Sequence, residues 1–404
     1  MKLHLPFRRT TLSLGTLLVL IWSGHCLAQD HEVLCTNGHG SFQAESASGI
    51  TVKVGAAKSG GLSTRTCEAT LRWDKQTVTI ATNATQIDVD AFGVDLGLSA
   101  PIAAFQVTNS ATQCCMEYEI YSLEKPPRLL RTITGGDFFS AADTEMDGRV
   151  EIWTTDAMAV DGFEKLDLAE LDSAPTIVLR FEHGELLDAS PEFQTYFDNQ
   201  IAWLRKQLNP EDLRHFKSSD GSLSASAATS ADRQHRFRQV KIKALEIVWD
   251  YLYSGRESQA WTALAEMWPD SDVPRIRAAI VNARTHGMLS QVAGVSAVKK
   301  NKRVRIFDAI TLSSEGKAEV TPPEPILLRR PPPPGIPDQP SSPTELLLEL
   351  TIDSAGKVRS AEPTGRVKMD AALLLATARW KFIPALNAGR PVASRTRVAV
   401  SLRQ

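Results

Sequence analysis

Proline governs what the last quarter of this chain can fold into. Ten of its 22 prolines lie between Pro322 and Pro343, four of them in succession at 331–334. Proline lacks a backbone N–H and fixes its own φ, so this stretch favours extended polyproline II over helix or central strand. At roughly 3.1 Å per residue it could reach on the order of 70 Å. The sequence therefore predicts a linker at 315–343 that holds residues 344–404 well away from the rest.

A secretion signal is predicted at the other end of the chain. Lys2, Arg8 and Arg9 precede the apolar run TLSLGTLLVLIW, and Ala28 follows as a small residue before a cleavage site. This order of features is typical of a signal peptide. Residues 1–28 are thus expected to be removed on export. An uncleaved N-terminal membrane anchor is the alternative.

Export places the remaining cysteines in an oxidising compartment, where disulfides form. They are Cys35, Cys67, Cys114 and Cys115. Because adjacent cysteines rarely bridge each other, two pairings stay open. Either Cys35 bonds to Cys67, or each of these two bonds to one member of the adjacent pair.

Composition and motifs exclude several classes of function. The chain is 43% hydrophobic and 23% charged, as in folded soluble domains and unlike disordered or multi-spanning membrane proteins. Its formal net charge of −2 lacks the basic excess of a dedicated nucleic-acid-binding protein. No Walker A loop, G-x-G-x-x-G, H-E-x-x-H or G-x-S-x-G motif occurs in the sequence. We therefore predict a protein that is not an enzyme and has no nucleic-acid partner.

Residues 29–190 are predicted to form an all-β domain: a sandwich, a barrel or a partial propeller. Seven short segments are rich in Val, Ile, Thr and aromatic residues and alternate roughly between polar and apolar. They are GITVKVG, EATLRW, QTVTIAT, IAAFQVT, MEYEIYSL, RVEIWTT and TIVLRFEHG. Several such strands in one run are typical of antiparallel all-β folds.

Residues 191–314 change to a helical period and predict a small antiparallel α-helical layer. Apolar residues recur there at three- and four-residue steps, as one face of a helix requires. A Ser/Ala-rich break at 218–230 interrupts the pattern. The predicted helices lie at 193–208, 232–253 (with Gly255 as the C-cap glycine), 260–267 and after Pro274.

Residues 344–404 predict a small α+β domain. LLLELTID is expected to be a strand, with Leu348, Leu350 and Ile352 on one face. The turn SAGKV follows, in which Gly356 can take a positive φ. The run MDAALLLATARWKF is a predicted helix, capped by Asp370 and ended by Pro384. The run ASRTRVAVSLRQ is a closing strand, with Thr396, Val398, Val400 and Leu402 facing the core and Arg395, Arg397, Ser401 and Arg403 facing outward.

These residues resemble the C-terminal domain of the TonB family. The matching positions are Ile352, Asp353, Gly356 and Val358 in the hairpin, Asp370, Ala371 and Ala372 at the helix start, Trp380, Phe382, Pro384 and Ala385 as a W-x-F-x-P-A signature, and Gly389, Pro391 and Val392 before the last strand. The resemblance implies a periplasmic domain of a Gram-negative-type cell envelope. It implies docking on outer-membrane transport receptors by adding an edge strand to a short receptor peptide.

The closing strand is the predicted partner-binding element. A strand at a sheet edge leaves backbone donors and acceptors free for β-augmentation. Residues 341–404 carry ten basic and five acidic residues, so an acidic peptide or envelope surface is a suitable partner. Two alternatives are that the arginines only prevent aggregation and that the strand pairs two copies in a homodimer. The predicted contact residues are Arg395, Thr396, Arg397, Val398, Ala399 and Val400.

The predicted cleavable signal separates this chain from the energy transducers of the TonB family. Those proteins keep an uncleaved N-terminal helix in the inner membrane, coupled to a proton-driven motor. We therefore expect a TonB-like binding module. A true membrane-anchored energy transducer is the alternative if residues 1–28 are retained.

An acidic loop at 143–151 is a candidate calcium site, and no other cofactor is predicted. Its carboxylates at alternate positions, followed by Gly148, resemble the D-x-D-x-D-G-x-x-E loops of FG-GAP propeller repeats. Such a loop can supply the oxygen ligands, six to eight in number, that calcium takes. A plain acidic turn is the alternative. Residues 87–97, with Asp88, Asp90 and Asp95, are a candidate second copy. If calcium binds, it is structural, and the β-rich domain could then be the ligand-binding or scaffold part of the protein. The predicted ligands are Asp143, Glu145, Asp147, Arg149 (by its carbonyl) and Glu151.

Overall fold

The structure is a computed structural model of the chain. It describes residues 34–57, 65–109, 114–166, 174–221, 230–297, 302–310, 320–328, 345–365, 369 and 371–401. The predicted signal peptide lies outside these residues. Within them, no helix is long and apolar enough to cross a membrane.

The first sheet is an antiparallel meander. Its strands are β1 (Cys35–Thr36), β2 (Phe42–Glu45), β3 (Thr51–Ala56), β4 (Cys67–Trp73), β5 (Gln76–Val94), β6 (Ile102–Asn109), β7 (Met116–Ser122) and β8 (Leu129–Gly136). From β2 to β8 each strand pairs with the next, and β1 pairs with β5. Val52, Leu71 and Phe105 lie in the core on one face, as the alternating pattern predicts.

The second sheet follows directly in the chain. Its strands are β9 (Phe139–Ala142), β10 (Glu151–Thr155), β11 (Thr176–Glu182), β12 (Glu185–Asp188) and β13 (Gly294–Val295). All pairs are antiparallel except β12 with β13. Every residue of β10 is buried, because the strand lies between β9 and β11 and its apolar residues belong to the hydrophobic core. The predicted antiparallel β-structure is confirmed, and neither sheet closes on itself in the described residues.

The helices pack on the second sheet and share one hydrophobic core with it. They are α1 (Ala157–Val160), α2 (Gln194–Gln207), α3 (Pro210–Lys217), α4 (Ala231–Tyr253), α5 (Glu257–Met267) and α6 (Val273–His286). α2, α4, α5 and α6 confirm the four predicted helices, and Gly255 has the positive φ of a C-cap glycine. α3 was missed because it is a short helix that begins with the Asn209 cap and the Pro210 ring and has no apolar period.

The terminal part combines short strands with one helix. Its elements are β14 (Phe307–Asp308), β15 (Glu324–Leu327), β16 (Glu345–Ile352), β17 (Val358–Pro363), α7 (Ala371–Ala378), β18 (Lys381–Ile383), β19 (Ala385–Asn387), β20 (Arg390–Val392) and β21 (Ser394–Ser401). The main sheet has the order β14-β21-β16-β17. Leu348, Leu350 and Ile352 are fully buried on one face, as predicted. The fold as a whole is mixed, with antiparallel sheets and seven α-helices in the described residues.

Two expectations about this part are wrong. The predicted helix ends at Ala378, and Lys381 and Phe382 lie in β18, because that strand pairs with β15. β15 itself belongs to the predicted linker, and its Ile326 packs in the core of the first sheet. The described part of the linker therefore fastens the terminal sheet to the β-domain instead of holding it away.

Candidate docking site on the terminal sheet

The strand β21 has one fully paired side and one mostly open side. Its inner side pairs with β16 from Ser394 opposite Ile352 to Ser401 opposite Glu345. Its outer side pairs with β14, in parallel, at Ser394 and Arg395 alone. Beyond Arg395, no strand among the described residues pairs with this outer edge.

The backbone groups on the open side follow from the pairing with β14. The N–H of Phe307 donates to the carbonyl of Ala393, and the N–H of Ala309 donates to the carbonyl of Arg395, both at 2.9 Å. Alternate residues of a strand direct their backbone groups to opposite neighbours. Arg397 and Ala399 therefore direct their N–H and C=O groups to the open edge. Such a row of groups is a template for an added strand.

The side chains from Arg395 to Val400 divide between the two faces of the sheet as predicted, and the predicted orientations of Ser401, Leu402 and Arg403 fall outside the side chains that the structure describes. Arg395, Arg397 and Ala399 are exposed, Thr396 and Val398 are half-buried, and Val400 is buried in the core. Both arginines have an acidic partner that the sequence analysis did not foresee. Arg395 Nε lies 3.4 Å from Glu349 Oε1, and an Arg397 terminal nitrogen lies 3.2 Å from Glu349 Oε2. Leu347 is 41% exposed and faces Ala399 across the strands, so this face is amphipathic rather than purely cationic.

The hairpin turn and β18 of the terminal domain are docked on the first sheet by two buried ion pairs. Lys357 Nζ lies 2.6 Å from Asp90 Oδ1, and Lys381 Nζ pairs with Asp88 Oδ2. Both carboxylates belong to β5 and are almost fully buried. Burial by itself would raise the pKa of Asp90, but Lys357 and Lys381 outweigh it and lower this pKa. The hydroxyl of Tyr118 donates to Asp90 Oδ2 at 2.7 Å.

The interpretation of 87–97 as a second calcium loop is wrong. Asp88 and Asp90 lie within a strand, and their carboxylates bind the two lysines. Asp95 accepts from the backbone N–H groups of the three residues Gly97, Leu98 and Ser99 and so closes a turn. Sequence spacing alone could not separate these roles, because the lysines lie more than 260 residues away.

The hairpin turn of the terminal domain also contacts the acidic loop at 143–151. The N–H of Asp143 donates to Asp353 Oδ2 at 3.1 Å, and the hydroxyl of Ser354 donates to Asp143 Oδ2 at 3.0 Å. Arg359 donates to the carbonyl of Thr144 at 3.0 Å. Burial raises the pKa of Asp353 to about 6 and also raises the pKa of Asp143. The loop is thus part of the docked interface.

The predicted calcium ligands are largely bonded to protein donors. Asp143 accepts from the N–H groups of Asp147 and Gly148, as well as from Ser354. The other predicted ligands are arranged as follows: Asp147 binds the Arg149 side chain, Glu151 binds Arg180 at 2.9 Å, and Glu145 is half-buried. Within the described ranges, no group of three or more His, Cys, Asp or Glu is placed to hold a metal ion. Calcium binding stays a prediction.

The disulfides resolve the open pairing. Cys35 and Cys67 form a bond between β1 and β4, one of the two options that the sequence left open. Cys114 and Cys115 bond to each other, so the expectation that adjacent cysteines stay unbridged is wrong. β1 and β4 both pair with β5, and this brings Cys35 and Cys67 together. Cys114 and Cys115 are therefore left to bond to each other.

Comparisons with known proteins found no match. This holds for the scan against protein-family models, for the search of curated proteins and for the search of solved structures. The TonB resemblance therefore stays a prediction that depends on the residues quoted above.

Proposed function

We propose that this protein is a non-enzymatic periplasmic protein of the TonB type. It docks on cell-envelope partners, outer-membrane transport receptors among them, by adding a partner strand to the outer edge of β21. The proposed architecture has three parts: the β-rich domain, the helical layer and the TonB-like terminal domain. The observation that carries the proposal is the outer edge after Arg395, whose backbone groups have no strand partner in the described residues.

The chemistry of this edge suits an extended peptide. Backbone hydrogen bonds to Arg397 and Ala399 would supply affinity that does not depend on sequence, and alternate side chains of the added strand would supply specificity. Half of those side chains would lie on the sheet face that carries Leu347 and the arginines. The partner that this face fits is an extended segment in which every second residue, on the side of Leu347 and the arginines, is apolar or acidic.

The ion pairs under the terminal domain decide how the proposal should be tested. Deleting residues 344–404 would remove the lysines that pair with Asp88 and Asp90 and uncover the surface of the first sheet on which the terminal domain docks. Loss of binding by such a truncation would then report misfolding as readily as a lost site. Single changes on the edge are the sharper test.

The test is photo-crosslinking in intact cells. A photoreactive amino acid at Ala399 is expected to crosslink an extended periplasmic segment of an outer-membrane receptor, identified by mass spectrometry of the joined peptides. The same group at Glu362, which is exposed on β17 at the far edge of the sheet, is the position control. Equal crosslinking from both positions, or none from Ala399, would contradict the proposal. Crosslinks between two copies of this chain would indicate the homodimer instead.

A matched pair of substitutions tests the backbone contact. Ala399→Pro removes the outward N–H, and proline is tolerated at sheet edges when that group faces solvent. Ala399→Ser keeps the N–H and the small size. We expect the proline variant to lose receptor crosslinking from a probe at Arg397, while the serine variant keeps it. Circular dichroism and the thermal midpoint show that both variants fold.

A further inference from the structure

The segment 302–310 of this chain already occupies the start of the docking edge. Through β14 it runs parallel to β21, and the N–H groups of Phe307 and Ala309 hold the carbonyls of Ala393 and Arg395. We infer, given the proposed function, that this segment is an internal competitor: a partner strand that pairs with the whole edge must displace it.

The segment is held weakly enough to be displaced. Most of its side chains are exposed, including Ile306 at 42%. The carboxylate of Asp308 accepts from the N–H of Ile310 at 2.8 Å, a turn that ends the pairing after Ala309. A further anchor is the N–H of Val304, which donates to the carbonyl of Met146 at 2.8 Å. Few buried contacts and exposed backbone hydrogen bonds mark elements that open at low free-energy cost.

The overlap between the segment and an incoming strand follows from length. A strand is usually five to six residues long. Beyond Arg395, the residues of β21 whose backbone N–H and C=O groups are directed to the open edge are Arg397, Ala399 and Ser401. β21 has eight residues, so a strand of usual length can pair with residues 396–401, whereas a strand that extends over the whole of β21 also needs the carbonyl of Arg395 that Ala309 holds. The parallel direction of β14 further indicates the orientation that this edge accepts.

The experiment uses the segment itself as the probe. A fluorescent peptide of residues 302–310, KRVRIFDAI, is titrated onto the full chain. Ala309→Pro removes a donor that holds the internal strand, whereas Ile306→Pro introduces the same ring where no hydrogen bond to β21 is made. We expect Ala309→Pro to bind the peptide about tenfold more tightly than the unaltered chain, because apparent affinity rises with the fraction of edges that are open. Ile306→Pro should bind like the unaltered chain.

Methylated peptides test the register without altering the protein. A methyl group on the Ala309 nitrogen of the peptide should abolish binding to the Ala309→Pro chain, because that N–H is the one donated to Arg395. A methyl group on the Asp308 nitrogen, which is directed away from β21, should leave binding unchanged. Equal affinity of all three chains, no binding to any of them, or equal effects of the two methyl groups would overturn the inference.

The outcome separates this inference from the proposed function. Peptide binding as expected, without receptor crosslinks from Ala399 in any variant, would leave internal competition standing and reject the receptor. Receptor crosslinks that are equal in the unaltered chain and Ala309→Pro, without peptide binding, would keep the receptor and reject the competitor.

Discussion

The terminal domain forms two sets of ion pairs, one buried and one exposed to water. Where it docks on the first sheet, Lys357 and Lys381 meet Asp90 and Asp88 in the protein interior. On the outer face of β21, Arg395 and Arg397 meet Glu349 with about half of each arginine side chain exposed. Water screens the second set and not the first, so equal charges have very different consequences.

This difference assigns separate tasks to the basic residues of one small domain. From the sequence, their excess suggests an acidic external partner. The structure shows that two of the lysines are used internally, to neutralise carboxylates that would be costly to bury alone. The arginines on the outer face keep their water and stay accessible to a partner. Position relative to the docked interface, rather than charge, separates a structural residue from a candidate binding residue.

The largest expected effect comes from breaking the docked end. Lys357→Met with Lys381→Met leaves two buried carboxylates unpaired, and losing one partner of a buried pair costs about 3–5 kcal/mol. We expect the urea midpoint to fall far below that of the unaltered chain. Adding Asp88→Asn and Asp90→Asn, which removes the stranded charges, should restore part of it. A loss no larger than that of Arg395→Met with Arg397→Met would contradict the comparison.

A glycine pair sharpens the comparison at the level of the backbone. Gly356 and Gly389 both have φ of +80°, but a Cβ at Gly356 would overlap the carbonyl oxygen of Phe382, whereas a Cβ at Gly389 meets open space. Left-handed strain costs about 1–3 kcal/mol for a residue other than glycine. Gly389→Ala should cost about 1 kcal/mol by thermal unfolding and Gly356→Ala clearly more. Equal losses would show that the turn at Gly356 can shift away from β18.

The pH dependence of unfolding tests the buried Asp353. The pKa of Asp353 in the folded protein is about 6, above the value near 4 of an unfolded chain, so the folded state binds the proton more tightly. The stability that this proton contributes to the folded state is fully present below about pH 4 and is lost as pH rises through 6. Asp353→Asn should therefore flatten the fall in the free energy of unfolding between pH 4 and 7. Burial raises the pKa of Glu151 to about 7, which gives a pH dependence of the same sign. This residue is present in the unaltered chain and in Asp353→Asn, so its effect cancels when their free energies of unfolding are compared. An unchanged slope would contradict the prediction, and Glu362→Gln is the exposed control.

The smallest expected effect is on the open face. Glu349→Gln removes the partner of both arginines, and exposed pairs contribute about 0.2–1 kcal/mol. We expect a stability change within that range that diminishes further in high salt. A loss of several kcal/mol would show that this face is covered rather than open.

Local sequence patterns correctly predicted β16, the turn at Gly356, most of α7 and the strand β21, but not β18, β19 or β20. Alternation placed Leu348 and Leu350 in the core, and Gly356 has the positive φ that its turn requires. The end of α7 was misplaced, because Lys381 satisfies both a helical and a strand pattern and only its pairing with β15 decides between them. The predicted partner-binding strand lies at an edge, but its occupied start at Arg395 had no signal in the sequence.

The sequence by itself determined the antiparallel strands, the four main helices and the edge strand, because each depends on a periodicity that neighbouring residues set. Only the tertiary structure decided that β15, in the described part of the proline-rich segment, fastens the terminal domain, that Asp88 and Asp90 hold lysines, and that β14 pairs with the start of β21. These contacts join residues from 54 to 293 positions apart. The physical reason is that a pair formed across such a separation depends on where whole elements pack, which no local pattern records.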